Sequence, residues 1–137
     1  MKTAALILSA FALAACATNA PFTPRSDYPP DPWVKGYAND DDCIGGEDLA
    51  AMSLDMPDYP RASYRAGRQG WVIVRLDVDA AGVTQNIAVE RSVPEGRFSK
   101  SAVNAVRDWR FEPPKNGGLS DCRVLLRYRL GGVTLGG

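Results

Sequence analysis

Ala105-Val106-Arg107-Asp108-Trp109-Arg110-Phe111-Glu112-Pro113-Pro114 sets a bulky Trp-Arg-Phe step directly before two prolines. Proline lacks a backbone donor, and it also disfavours helical geometry in the residue before it, so a helix arriving at Trp109 has to end there. Upstream, Phe98, Ala102, Ala105 and Trp109 recur at helical spacing, Val106 widens the stripe, and Lys100, Asn104 and Arg107 fall opposite. This pattern predicts an amphipathic helix with Trp109 as its last large buried residue. Phe111 then packs as the chain leaves, so the Trp-Arg-Phe step reads as a core anchor where the chain turns back to a sheet.

Working outward, Gly70 to Asp79 alternates, with Val72, Val74, Leu76 and Val78 on one face and Arg75, Asp77 and Asp79 on the other. Period two with one polar face predicts a half-buried strand. Ala80-Ala81-Gly82 turns the chain into a second strand, Val83 to Arg91, with Ile87 and Val89 on the apolar side. Before this hairpin, Pro60 suits a first helical position and Gly67 a stop, predicting a short helix from Pro60 to Ala66. A third strand, Asp121 to Leu130, sets Cys122, Val124, Leu126, Tyr128 and Leu130 against Arg123, Leu125, Arg127 and Arg129.

The predicted fold is therefore α+β: short helix, β-hairpin, helix, edge strand. Strands two and three, joined through a helix, run parallel to each other with strand one antiparallel between them. This is a three-stranded antiparallel or mixed sheet with helices on one face. Strand three lies at an edge and offers unpaired backbone groups unless something covers them. Its arginines either favour an acidic peptide or only solvate the open face by pairing with Asp77 and Asp79.

Composition bounds the function. A chain of 137 residues, 45% apolar and 23% charged, accommodates one ordinary globular domain. Sixteen basic residues balance 16 acidic ones, so net charge gives no reason to expect nucleic acid as a partner. The absence of His removes the usual general base and the commonest metal ligand, and no convergent polar cluster is visible. The reading is of a protein that is not an enzyme and has no catalytic, cofactor or metal site.

The N-terminus points to export. Lys2, the apolar run Ala4 to Ala15 and the small residues before Cys16 form a signal too short to span a bilayer. Leu13-Ala14-Ala15-Cys16 resembles the bacterial lipobox, which makes Cys16 an acylated mature N-terminus. Ordinary cleavage leaving a chance thiol is the alternative. Ala17 leans towards the outer membrane rather than the inner. Residues 17 to 42 carry prolines at 21, 24, 29, 30 and 32 and read as a tether, reaching roughly 80 Å at about 3.1 Å per residue. Asp40-Asp41-Asp42 and Gly45 to Asp48 lack the alternating order of a calcium loop and read as a solvated turn. In an oxidising compartment the two remaining thiols, Cys43 and Cys122, are expected to form a disulfide. Otherwise Cys122 is a small buried residue. The chain thus divides into a signal (1–15), a Pro-rich tether and N-terminal segment (16–55), a domain (56–131) and a Gly-rich tail (132–137).

Pro57-Asp58-Tyr59-Pro60, then Gly70 to Val74 with Asp79 and Gly82, then Phe98, Ala102 and Ala105 to Pro113, resemble in order and spacing the TonB C-terminal domain family. The resemblance covers roughly residues 56 to 131. It implies a module of the bacterial periplasm that recognises a short transporter segment, the TonB box, by adding it as a strand beside its last strand, near the Tyr-Pro turn. Carried onto this chain, the partner-binding positions are Met56, Asp58, Tyr59 and Pro60, and Arg123, Val124, Leu125, Leu126, Arg127, Tyr128, Arg129 and Leu130. Met56 stands where the family can carry a partner-contacting Gln. The chain also departs from the family's transducer, which has an uncleaved inner-membrane helix and a long Pro-rich spacer, and this puts energy transduction in doubt. Two functions remain. One is a lipid-anchored, periplasm-facing binding module for an extended segment of an outer-membrane transporter or other envelope protein. The other is a structural envelope lipoprotein whose edge is covered by its own residues 44 to 54.

Overall fold

The computed structural model describes residues 23–32, 43 and 49–136. The signal, Cys16 and the turn residues 40–42 and 45–48 lie outside the described residues. In chain order the elements are β1 (Ala51–Ser53), α1 (Arg61–Arg65), β2 (Gly70–Val78), β3 (Thr84–Val93), α2 (Ser99–Asp108), β4 (Arg110–Phe111), β5 (Leu119–Arg129) and β6 (Gly132–Gly136).

Local chemistry sets the boundaries. Pro60 holds φ at −60° ahead of α1, and Gly67, at φ +60°, ends it in a left-handed conformation suited to glycine. Between β2 and β3, Asp79 Oδ1 accepts the N–H groups of Ala81 and Val83, both at 2.9 Å. Gly82 completes the turn at φ +81°, where a side chain would collide with the Phe111 carbonyl, and its own carbonyl accepts the Phe111 N–H at 2.9 Å. That contact ties the hairpin turn to the end of the Trp-Arg-Phe step. Trp109 itself turns out of α2 with extended dihedrals and is 1% exposed. Its indole N–H donates to the Asp55 carbonyl at 2.8 Å, while Phe111 enters a two-stranded sheet of β1 and β4.

The main sheet has the order β3-β2-β5-β6, and every neighbouring pair is antiparallel. β2 sits between β3 and β5, as the crossover argument requires. The expected edge is a correction: the sheet has four strands rather than three, and β5 is internal. The Gly-rich tail folds back through Leu130-Gly131 and pairs from Arg129↔Gly132 to Leu125↔Gly136. Gly131 and Gly132, at φ 144° and 151°, adopt a backbone region that costs other residues steric strain.

α2 covers one face of the sheet. Val72, Val74, Leu76, Leu126 and Tyr128 pack there against Phe98, Ala102, Val106 and Trp109. The opposite face also has a cover. Trp71, Ile73 and Leu125 form a smaller buried cluster with Tyr28 and Val93. The Pro-rich stretch is therefore not wholly a tether, because part of it docks on the sheet. Proline does keep residues 27–32 out of helix and strand, but an extended chain can still lie on an apolar face through Tyr28.

Cys43 and Cys122 are joined by a disulfide, and both are buried. Leu49–Leu54, the described part of the segment after Cys43, places β1 on β4 rather than on the β5 edge. Among the described residues, no helix is long and apolar enough to cross a membrane.

Candidate partner-binding site

The residues expected to meet a partner fall into two regions joined by an aromatic contact. Along β5, Val124, Leu126 and Tyr128 face the helices and are buried. Leu125, which alternation assigns to the polar face, is buried in the second cluster. The arginines of that face all have partners, but Asp77 and Asp79 are not among them. Arg123 donates to Glu90 Oε2 at 2.7 Å and to Asp121 Oδ2 at 3.1 Å. Arg127 donates to Asp31 Oδ2 at 3.0 Å, and the Arg129 guanidinium stands 4.2 Å from the centre of the Tyr28 ring. Asp77 instead accepts from Asn86 Nδ2 at 2.7 Å and from the Asp121 backbone N–H at 2.8 Å, and these bonds hold its carboxyl below the usual range. Leu130 donates its N–H to Gln69 Oε1 at 3.1 Å.

The Tyr-Pro turn meets the end of β5. The Tyr59 ring packs edge-on to Phe98 at 5.6 Å and to Tyr128 at 5.7 Å, while Phe98 and Tyr128 stack at 4.4 Å. Burial raises the Tyr59 pKa, and its hydroxyl donates to the Arg68 carbonyl. Tyr128 is fully buried and its pKa is pushed up to about 12 by desolvation. Its hydroxyl donates to Ser101 Oγ at 3.2 Å, and the Ser101 hydroxyl donates to the Asp58 carbonyl. This relay fixes the turn to α2 and to β5.

Met56 and Asp58 also border the outside of α2. With Pro57, Arg97, Lys100 and Asn104 they line an open groove of about 710 Å³ along the outer face of α2, where Met56 is exposed. Pro60 serves as the entry to α1 and also borders this groove. A smaller slot of about 350 Å³ opens beside Leu135, walled by Leu49, Leu54, Trp109, Phe111 and Val124. Among the described residues, no group of three or more Cys, Asp or Glu is placed to hold a metal.

Pattern reading missed two components: β6 and the docked segment around Ser26, Tyr28 and Asp31. For β6 the available signal was Val133-Thr134-Leu135, an alternating triplet between glycines. For the docked segment it was Tyr28, an aromatic residue inside a Pro-rich run.

The family model for the Gram-negative bacterial TonB protein C-terminal matches residues 55–130. The chain belongs to the TonB C-terminal family. Protein TonB of Xanthomonas campestris pv. campestris (strain B100) is 41% identical over 64 residues, covering 47% of this chain and 29% of that protein. Protein TonB of Salmonella typhimurium is 34% identical over 84 residues, covering 61% of this chain and 34% of that protein. The chain thus spans about a third of the length of these relatives. The solution structure of the Pseudomonas aeruginosa TonB CTD matches with a TM-score of 0.50 and 29% identity, covering 63% of this chain and 90% of that one. The TonB2 protein of Vibrio anguillarum, at 18% identity and a TM-score of 0.50 over 80% of this chain and 98% of that one, shares the fold. Domains of this family are non-enzymatic and associated with transport. The match ends at residue 130, so β6 lies just beyond it, and the docked N-terminal segment around Ser26 to Asp31, the strap, lies well before its start at residue 55.

Proposed function

We propose that this chain is a periplasm-facing TonB-type binding module of the Gram-negative envelope, anchored by lipid at Cys16. It captures an extended segment of an outer-membrane transporter or other envelope protein as a strand beside β5. The observation that carries this reading is β6. The β5 edge at Leu125–Arg129 is held by only the five residues of β6, Gly132–Gly136, which follow Gly131 and include two glycines. Backbone pairing along an exposed strand is sequence-tolerant, and pockets for alternate side chains supply the selectivity. Val133 and Leu135 face the helix side, opposite Tyr128 and Leu126, and Thr134 faces the strap side, opposite Arg127. The resident strand therefore serves as a template. A partner that replaces it carries aliphatic residues two apart, one of them entering the slot beside Trp109 and Val124.

A tethered strand competes at an effective concentration of about a millimolar or more. Removing residues 132–137 therefore tightens binding of a Val-x-Leu peptide by about 10- to 100-fold. The test is an NMR titration of the chain with and without those residues. Amide protection gained along Val124–Leu130 supports the reading; perturbation confined to the groove at Met56, or none, overturns it. One observation favours the second reading, a structural lipoprotein: β6 and the docked N-terminal segment already cover both the edge and the open face. Under that reading neither form binds peptide. Mass spectrometry of the membrane-extracted protein checks the anchor, since an unmodified soluble N-terminus elsewhere than Cys16 removes it from the proposal.

A further inference from the structure

The docked N-terminal segment makes more than incidental contacts. Ser26 donates its N–H and its hydroxyl to the Gly67 carbonyl at 3.2 and 2.9 Å, and its Oγ accepts the Gln69 N–H at 3.0 Å. The Trp71 indole N–H donates to the Pro30 carbonyl at 3.0 Å. Tyr28 lies on the Trp71–Leu125 cluster under Arg129, and its hydroxyl donates to Asp31 at 2.7 Å. Asp31 in turn receives Arg127. The guanidinium so held lies across the end of β6: a methyl group built on Gly136 would stand 2.5 Å from Arg127 Nη1. One arginine of β5 therefore touches both the N-terminal segment and the last residue of the terminal strand.

We propose that this face of the sheet is a recognition surface for an extended Tyr-Pro-Pro-Asp segment, occupied by the chain's own residues 26–31, and that its occupancy latches β6. With the strap docked, Asp31 keeps Arg127 over Gly136 and Tyr28 keeps Arg129 packed, so β5 and β6 are clasped from the outside. With the strap undocked, Arg127 leaves Gly136 and the terminal strand opens more often. The inference deepens the strand-exchange reading and rests on it only for its purpose. The latch itself is a property of the chain without any partner.

Hydrogen exchange of the full chain, with no transporter peptide present, tests the latch. Asp31→Asn removes the charge without removing a packed atom and is expected to speed exchange at β6 amides by about two- to five-fold. The Tyr28→Ser/Asp31→Asn double variant speeds it by about 10-fold or more, while β2 amides stay protected. A synthetic peptide of residues 23–32 added to the double variant restores slow exchange and quenches or shifts Trp71 fluorescence. Glu90→Gln, which breaks the Arg123 pair on the same face but does not touch the strap, leaves β6 unchanged. Unaltered β6 exchange in both strap variants overturns the latch, as does acceleration spread equally over β2, β3 and β6. Failure of the peptide to bind the double variant overturns the recognition surface. Neither result depends on whether a transporter segment adds to β5.

Discussion

Trp109→Phe isolates what the Trp-Arg-Phe step contributes. The indole is 1% exposed, packs edge-on to Phe111 at 6.4 Å, and makes the single described hydrogen bond from the end of α2 to residue 55. Truncation to alanine empties a ring-sized space in a core that includes Phe98, Leu76 and Leu126, and is expected to cost about 3–5 kcal/mol. Phenylalanine keeps most of the packing and loses the N–H. A buried carbonyl left without its donor costs about 1–3 kcal/mol, but Asp55 is exposed and water reaches it, so the lower part of that range, about 1–2 kcal/mol, is expected. Guanidinium unfolding should give this difference at unchanged m-value, since the surface exposed on unfolding is nearly the same. The two substitutions should also differ locally. In Trp109→Phe, amide exchange at Asp55–Asp58 accelerates beyond the global loss, because the segment bordering the Met56 groove has lost its tie to the helix. A cost below about 1 kcal/mol for Trp109→Ala would refute the core-anchor argument. Unchanged relative protection at 55–58 in Trp109→Phe would refute the tie.

Reducing the Cys43–Cys122 bond, or the paired Cys43→Ser/Cys122→Ser change, should lower stability by about 4 kcal/mol on the chain-entropy model for a separation of 79 residues, and thiol titration of the untreated protein in denaturant should find neither cysteine free. Tyr128→Phe should cost about 0.5–1.5 kcal/mol by breaking the relay to Ser101, read by thermal unfolding. Because burial raises the Tyr128 pKa, the unfolded chain ionises first; stability should hold below about pH 10 and fall as pH climbs towards 12, and Tyr128→Phe should flatten that fall. Asp77 runs the other way: its depressed carboxyl contributes stability present above about pH 4 and lost as pH falls through its lower folded value, so Asp77→Ala should flatten the acid limb of a stability–pH profile.

The elements that pattern reading located are the ones whose signal is local and repeated. β2 shows four alternating aliphatic positions, and α2 a stripe closed by Trp109 and two prolines, so both type and boundary follow from a single segment. The placement of β2 between its neighbours followed from connection geometry alone. What escaped has its cause at a distance. β1 and β4 are three and two residues long and exist because Phe111 is fixed by Gly82 and Leu49–Leu54 passes alongside. Arg123 turns to Glu90 rather than to Asp77, since Asp77 is already engaged by Asn86 and the Asp121 N–H, a consequence of left-handed φ values at Asn86 and Asp121.

The hidden half of the site follows a further logic. β6 has three non-glycine residues, two of them exposed, so it adds little apolar burial and little propensity of its own. Those deficits conceal it in the sequence, and they are also what strand exchange requires. A terminal strand with a long alternating pattern would be plain to read, but its burial would hold β5 closed against any peptide of ordinary affinity. The strap offsets part of the weakness from outside the strand through Arg127 and Gly136, so β6 can be weak in itself and still closed at rest. Stability supplied by a separable segment can be withdrawn without unfolding the core. Local exchange at β6 should therefore respond to Asp31 and Tyr28 far more strongly than global unfolding does.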